Sequence, residues 1–533
     1  MVRATALKGA LIFVHRWLGV ALSVILFLWF ASGIVMMYWS YPTVTTSDRL
    51  QRAPVLDPTR IKVTVDAAYG RLGRGLPPAQ VRLASFDGRP VYRFGAGRLE
   101  SDRGGAAGQM VFADDGSVVA TADEAMIDRA AALWAGQPIR AARKEEVTAV
   151  DQWTVGDLRN LRPLFKYSWP DGQQVYVNGK TAEVVQYTTS KARFWAYLGA
   201  IPHWLYFTPL RKHHPQWFSV VVWSSLIGTI TPVLGIIVIL WMYSPRKVYR
   251  HADTPTSIPY RGWKRWHAIA GLFFGTIATT WAFSGLLSMG PFRIVDALTD
   301  LILPASSDAA GRGDATRGPD IAEALRGSAS VRLASYSDKD PKAAIAAIRG
   351  FAAKELEYTS FAGEPVYLAT NGEGDTRVIP VHGEAAAAFD TDQVIRVVRD
   401  AAGSQLADLR LVDEFDAYYL DRRGQRPLPV VYARLNDPVA TRYYVDPKTA
   451  RVVGKYSTRD WVNRWLYHGL HSMDFPWLYK HRPLWDILVI TLLLGGLTIS
   501  VTSLVLTWRV LMRKGASLLS AHLNQPDEDL TME

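Results

Sequence analysis

The stretch HRWLGVALSVILFLWFASG, residues 15–33, decides the fold. A histidine and an arginine stand at its mouth, and no charged residue follows within it. A bilayer core needs about 20 mostly apolar residues in helical form, and the run extended to Leu11–Trp39 meets that length. Three further stretches do the same: Trp217–Tyr243, Ala268–Met289 and Trp485–Val510. Arg3 and Lys8 precede the first run as they would in a secretory signal. Its apolar part, however, exceeds the roughly 7–15 residues of a signal core, and it ends on the bulky side chains VMMYWSYP (35–42). The expectation is a retained anchor in an α-helical membrane protein with four transmembrane helices.

The composition fits that expectation. The 533 residues are 49% hydrophobic and include 19 tryptophans, yet mean hydropathy is near zero, so long apolar stretches alternate with ordinary polar ones. The formal net charge of +11 in such a chain points to cytoplasmic loops and away from nucleic acid. No cysteine is present. That excludes disulfides, thiolate metal sites, iron–sulfur clusters and covalently attached c-type haem, and leaves any metal chemistry to histidine, carboxylate or a non-covalently held cofactor. Between the second and third runs lie Arg246, Lys247, Arg250, Arg261, Lys264 and Arg265 against the single acid Asp253. The positive-inside rule places that loop in the cytoplasm and both termini with it, in agreement with Arg509, Arg513 and Lys514 after the last run. Segments 41–190 and 291–460 then face outward, which in a bacterium is the periplasm. Each mixes helical patterns (VTVDAAYGRLG, DTDQVIRVVRDAAG) with strand-like runs (RPVYRFGAG, TRYYVDPKTARVVGKY) and turn dipeptides, as an α+β domain does. SSDAAGRGDATRG (306–318) reads as a linker, and the acidic NQPDEDLTME as a disordered tail.

The chain also repeats itself. YVNGKTAEVV (176–185) returns as YVDPKTARVV (444–453), with Tyr444 in the place of Tyr176. The same offset relates His203 to His471, Phe207 to Phe475, KHHPQW (212–217) to KHRPLW (480–485), and Gly228 to Gly496. A second fixed offset relates His15 to His267, Gly19 to Gly271, Trp29 to Trp281, Ser32-Gly33 to Ser284-Gly285, and Met37 to Met289. SFDGRPVY (85–92) is echoed by SFAGEPVY (360–367). The expected architecture is two tandem copies of one unit, related by a pseudo-two-fold axis along the membrane normal.

Duplication gives the histidines meaning. Of eleven, eight flank the ends of the apolar runs. Three matched pairs result: His15/His267 on the inner side, and His203/His471 and His213/His481 on the outer. Imidazole is a common ligand for iron, and rings facing each other across an axis suit six-coordinate haem b, which needs no cysteine. Arg16 and Arg265 stand where a propionate could be met, and Gly33 and Gly285, each after a serine, open a gap for a flat macrocycle or a close helix approach. His213/His481 ranks below His203/His471, because Pro215 and Pro483 beside them suit the first turn of a helix with Lys and Trp as interface anchors. His468, three residues before His471, is an alternative ligand on the same helix face. A span-end histidine often does no more than reach the headgroups, and the Ser-Gly pairs equally suit plain helix packing. Trp29 and Trp281 read as packing residues.

HRWLG, DQWTVGDLRNLRPL (151–164), the two YV-x-x-KTA-x-VV stretches with a downstream PH or LH histidine, and the Ser-Gly pairs together resemble the PepSY-associated transmembrane proteins over nearly the whole chain. The resemblance implies an inner-membrane protein with two periplasmic PepSY-like domains. The expected order is 1–40, first transmembrane helix; 41–190, first PepSY-like domain; 191–243, amphipathic segment and second helix; 244–265, cytoplasmic loop. Then come 266–290, third helix; 291–460, second PepSY-like domain; 461–510, amphipathic segment and fourth helix; and 511–533, cytoplasmic tail. Some family members are ferric-siderophore reductases that hold two b-type haems in a four-helix bundle. That implies His15, His267, His203 and His471 as axial ligands, and an oxidoreductase that delivers electrons to a ferric siderophore or other ferric chelate outside. Hard-oxygen chelators hold Fe(II) far more weakly, so reduction releases the metal. No side chain is assigned a catalytic role. With no G-x-G-x-x-G after a strand, the electrons are expected from a separate cytoplasmic reductase or a quinol. Arg162, Tyr167, Tyr418, Arg422, Arg423 and Arg426 are candidates for docking the chelate. A membrane-anchored regulator or assembly factor without redox chemistry, or an iron or haem transport subunit, are the alternatives. PHWLYF stands opposite LHSMDF, so the outer site need not be symmetric.

Overall fold

The computed structural model describes residues 2–73, 76–95, 109–119, 121–156, 158, 161–243, 249–251, 254–290, 320–327, 331–421, 424–458 and 460–523. The linker 306–318, the tail from 524, Arg246, Lys247, Arg422 and Arg423 lie outside the described residues. The chain divides into two compact units. One comprises residues 1–41, 194–301 and 461–533, and the other 42–193 and 302–460.

Among the described residues, the first unit holds four helices long and apolar enough to cross a membrane, so the protein is a membrane protein. They are the first span (Val2–Met36), the second (His214–Met242), the third (Gly262–Ser288) and the fourth (Leu484–Leu523). The first, third and fourth are longer than their apolar runs, because Lys and Arg at the ends continue the helix beyond the hydrocarbon. Pro232 lies inside the second helix without ending it. The first and third spans each pack against the second and fourth, which sets the first and third on one diagonal of the bundle. Glycines let the helices approach. A Cβ on Gly496 would enter the Phe30 ring, and one on Gly495 the Phe274 ring. Phe30, Ala278, Trp281, Val489 and Leu493 form the core of the bundle, with Phe30 and Trp281 5.9 Å apart between ring centres. Trp281 therefore packs, and its indole N–H donates to the Leu470 carbonyl at 2.7 Å.

Short helices precede the second and fourth spans. They are Ser190–Leu198, Ala200–Trp204 and Thr208–Arg211 in the first case. In the second, Asn463–Gly469 is wound as a π-helix, followed by Leu470–Ser472 and Pro476–Tyr479. Leu205 (φ 52°) and Met473 (φ 51°), which occupy matching positions in the two segments, are both left-handed caps.

The second unit is α+β. Its strands are β1 (Gln80–Phe86), β2 (Arg89–Gly95), β3 (Gln109–Phe112), β4 (Val118–Val119), β5 (Arg143–Glu146), β6 (Leu164–Ser168), β7 (Gln174–Asn178) and β8 (Val184–Thr188). The basic loop of the first unit carries a small hairpin, β9 (Tyr249–His251) with β10 (Thr254–Thr256). The second unit continues with β11 (Glu355–Phe361), β12 (Glu364–Thr370), β13 (Thr376–Pro380), β14 (Leu406–Val412), β15 (Val430–Leu435), β16 (Arg442–Asp446) and β17 (Arg451–Tyr456). The sheets of the two sequence segments are joined. β11 pairs antiparallel with β1, giving one seven-stranded sheet in the order β13-β12-β11-β1-β2-β3-β4. One face buries Val81, Leu83, Tyr92, Leu356, Tyr358 and Tyr367. Four-stranded sheets β5–β8 and β14–β17 each contribute to a separate core with other residues of the large sheet, such as Phe86 and Phe361.

The family-like stretches have a structural account. In DQWTVGDLRNLRPL, the Asp151 carboxylate accepts from the backbone N–H of Trp153 and Thr154 and from the buried Tyr176 hydroxyl at 2.6 Å. Asp416 does the same for Tyr418, Tyr419 and Tyr444. These residues hold turns against β7 and β16.

Candidate functional site

Two pairs of histidines meet inside the bundle unit. His15 on the first span and His267 on the third have ring centres 6.2 Å apart. His203, on the short helix Ala200–Trp204, and His471, on Leu470–Ser472, have ring centres 6.0 Å apart. A metal–imidazole bond of about 2 Å, with roughly 1 Å more from ring nitrogen to ring centre, puts two trans imidazoles of one metal about 6 Å apart. Both pairs stand at that spacing.

The hydrogen bonds fix which nitrogen each ring offers. His15 Nδ1 lies 2.9 Å from the Thr231 carbonyl oxygen, which can only accept, so Nδ1 carries the proton. His267 Nδ1 lies 2.9 Å from Thr502 Oγ1. That hydroxyl has backbone carbonyls for its own proton, Thr498 and Ile499, each at 2.8 Å, so toward the ring it accepts. Ser284 Oγ donates to the Trp281 carbonyl at 3.0 Å and accepts from His471 Nδ1 at 3.0 Å. Ser32 Oγ donates to carbonyls of its own helix, Leu28 and Trp29, and accepts from His203 Nδ1 at 3.1 Å. The Trp29 carbonyl also faces His203 Nδ1 at 3.2 Å. His15 and His203, which face carbonyls, are thereby Nδ1–H tautomers, the hydroxyls at His267 and His471 suit the same tautomer, and at all four rings Nε2 is the nitrogen left to present to a metal. A ligating histidine held through its other nitrogen by a carbonyl or hydroxyl is the usual outer-shell arrangement of metal sites. Desolvation by burial lowers the basicity of His203 against the raising effect of the Trp29 carbonyl, which favours the neutral ring that ligates.

The serines and glycines act on the histidines. Ser32 and Ser284 are buried, and each orients an outer ring. A Cβ on Gly33 would lie 3.8 Å from His203 Cε1, and one on Gly285 3.9 Å from His471 Cε1. The Gly33 position is also close to Leu493 at 2.9 Å, so it serves helix approach as well. On the inner side Gly235 does this more strictly, since a Cβ there would fall 2.7 Å from His15 Cε1.

The other candidates are placed differently. Arg16 and Arg265 are exposed, Arg265 in the first turn of its helix and Arg16 well inside its own, lying over Phe13 and Trp17. His213 and His481 are exposed, and His481 Nδ1 turns to the Trp477 carbonyl. His468 sits 3.8 Å from the buried Asp474 carboxylate, with its ring against Tyr467. Tyr467 also lies 5.4 Å from His471. The positions of Tyr467 and His468 in the earlier segment are Gly199 and Ala200, so the outer pair has different neighbours on its two sides. Among the docking candidates, Tyr167 is fully buried, its hydroxyl on Asp128, and so offers no surface. Arg426 is tied to Tyr456 at 2.7 Å. Thr231, Thr502 and Gly235 were not singled out from sequence. Their signal is position: Thr231 and Gly235 stand one helical turn apart, and Thr231 lies next to Pro232 in an apolar run.

A family model, the PepSY-associated TM region, matches residues 13–352, more than half of the chain. The chain belongs to this family. The match covers three of the spans and includes His15, His203 and His267 of this PepSY-associated membrane protein. No curated protein matches the chain.

Proposed function

We propose that this PepSY-associated protein binds two b-type haems, one between His15 and His267 and one between His203 and His471. On this reading it carries electrons across a bacterial inner membrane to a ferric siderophore or other ferric chelate. The observation that carries the proposal is the double coincidence at both pairs: metal-ligand spacing between the rings, and every Nδ1 committed so that Nε2 is the donor. A histidine that merely reaches toward headgroups needs neither. The tandem arrangement, cytoplasmic termini and periplasmic placement of residues 42–193 and 302–460 belong to the same reading, supported by the repeated stretches and the basic loop.

Haem iron, when bound, supplies one-electron chemistry at a potential set by its axial ligands and their hydrogen bonds. The chain supplies the rest. His15 and His267 fix the inner site on one diagonal of the bundle, and Thr231 and Thr502 keep their rings in the ligating tautomer. Ser32 and Ser284 do the same at the outer site. From His15 to Ser32, which touches His203, the first span rises about 26 Å at roughly 1.5 Å per residue. That separation is close to the thickness of the hydrocarbon core, about 30 Å, so the two sites serve opposite faces. Phe30, Trp281 and Leu493 fill the space between with apolar contact and exclude water. A donor on the inner side, reductase or quinol, is oxidised, and each electron it gives turns one Fe(III) in the outer chelate into Fe(II), which hard-oxygen ligands release. A quinol gives two electrons and two protons and so reduces two.

The test is spectroscopic. Purified full-length protein expressed with haem supplied is expected to show a reduced-minus-oxidised b-type difference spectrum with about two haems per chain, and to be reoxidised by a ferric chelate. His15→Ala with His267→Ala is expected to remove the inner haem, and His203→Ala with His471→Ala the outer one. A colourless wild type sinks the proposal in favour of a non-redox membrane regulator.

A further inference from the structure

Arg211 is 5% exposed, and its Nε and Nη1 have no hydrogen-bond acceptor among the described residues. The guanidinium instead lies over two aromatic faces, 4.9 Å from the Tyr206 ring centre and 4.4 Å from that of Trp217. Trp217 in turn donates its indole N–H to the Trp204 carbonyl at 2.8 Å, one residue beyond His203. The charge is therefore held in an aromatic niche built on the same turn that carries an outer histidine. Burying a cation with donors unmatched is costly, and cation–π contact offsets only part of that cost.

The fold of this niche does not require an unpaired charge. At the matching place in the later segment stands Tyr479, at the end of the matching helix Pro476–Tyr479. The left-handed turn recurs at Met473, and the Trp485 indole donates to the Met473 carbonyl at 3.1 Å, one residue past the place that matches Trp204. The cation over the rings there is Arg482, 5.5 Å from the Tyr479 ring centre and 5.1 Å from that of Trp485, and it is exposed and engaged by the Asp486 carboxylate. One segment thus sets over its indole an exposed cation paired with a carboxylate, and the other a buried cation with no carboxylate partner among the described residues.

We propose that Arg211 is a carboxylate anchor at the outer end of the bundle, and that a propionate of the outer haem is the carboxylate it takes. This rests on the haem reading, and it gives the outer side a propionate partner of its own, Arg16 and Arg265 standing beside the inner pair. A planar guanidinium presents paired N–H donors that match a carboxylate.

Wild type, Arg211→Met and Arg211→Lys are compared as full-length proteins, for melting temperature without haem and for haem content with it. Wild type is also loaded with haem dimethyl ester, which lacks the propionate charges. The expected result is that Arg211→Met without haem melts no lower than wild type, yet holds roughly half the haem. The lysine variant recovers part of the loss, and the ester fills wild type no better than haem fills Arg211→Met. If Arg211→Met keeps both haems but saturates more weakly only with carboxylate-bearing ferric chelates, the anchor stands and the chelate is its source. A haem-free Arg211→Met that melts well below wild type overturns the proposal, since the cation is then structural. Unchanged haem content together with unchanged chelate saturation overturns it as well. A wild type that takes up no haem defeats the parent reading, and is told apart because the loss then precedes any substitution.

Discussion

At the scale of single residues, the informative atoms are those that hold the imidazoles. Removing the Ser284 hydroxyl leaves His471 Nδ1 without its acceptor at 3.0 Å. Ser284→Ala is therefore expected to weaken the outer haem by about 10–100-fold in a haem titration while the inner one stays. Thr502→Val is the converse at the inner site, acting through His267. Gly235→Ala would place a methyl group 2.7 Å from His15 Cε1. A ring tied to Thr231 has little room to give, so loss of the inner haem with the outer retained is the outcome to look for in the difference spectrum. The histidines themselves were legible because they recur at fixed offsets. Their partners were not, since a serine, threonine or glycine in an apolar helix carries no mark until the facing helix is known.

At the scale of elements, repeated glycines set how closely helices approach. Gly496 on the fourth span lies against Phe30 of the first, so Gly496→Ala must displace an aromatic ring in the bundle core. Overpacking of this kind costs about 1–3 kcal/mol, to be read as a lower melting temperature of the detergent-solubilised protein. The α+β elements obey simpler chemistry. In DTDQVIRVVRDAAG the helix Thr391–Ala402 starts where the Asp390 carboxylate caps the Asp392 N–H, and Asp390→Ala is expected to cost about 1 kcal/mol. Spans, caps and hairpins were legible because their signals are local. The π-wound turn Asn463–Gly469 was not: its winding differs from the earlier segment although the downstream histidine matches.

At the scale of the whole molecule, the central event in the second unit is the pairing of β1 with β11. Arg82 stands opposite Glu357, and Ala84 opposite Glu355. Burial pushes the Glu355 carboxyl up, but Arg49 at 2.7 Å and Arg82 at 3.6 Å outweigh it and hold it below the ordinary carboxylate value. A depressed folded value means the stabilisation is full above the unfolded value of about 4.3 and fades as pH falls through the folded one. Glu355→Gln is expected to lower stability near neutral pH by about 1–3 kcal/mol and to flatten the loss of stability below pH ~4, measured as melting temperature against pH. The amino-acid sequence by itself determined the membrane class, the four spans, the exclusion of thiol chemistry and the recurring histidines. Each of these follows from composition or from spacing along one chain. Only the tertiary structure decided how close the paired rings come, 6.2 Å for His15 and His267 and 6.0 Å for His203 and His471, which groups hold each ring, and that the sheets of two distant segments become one. Those outcomes depend on which helix faces and which strand edges are brought together, and contacts between distant segments are not encoded in any local pattern.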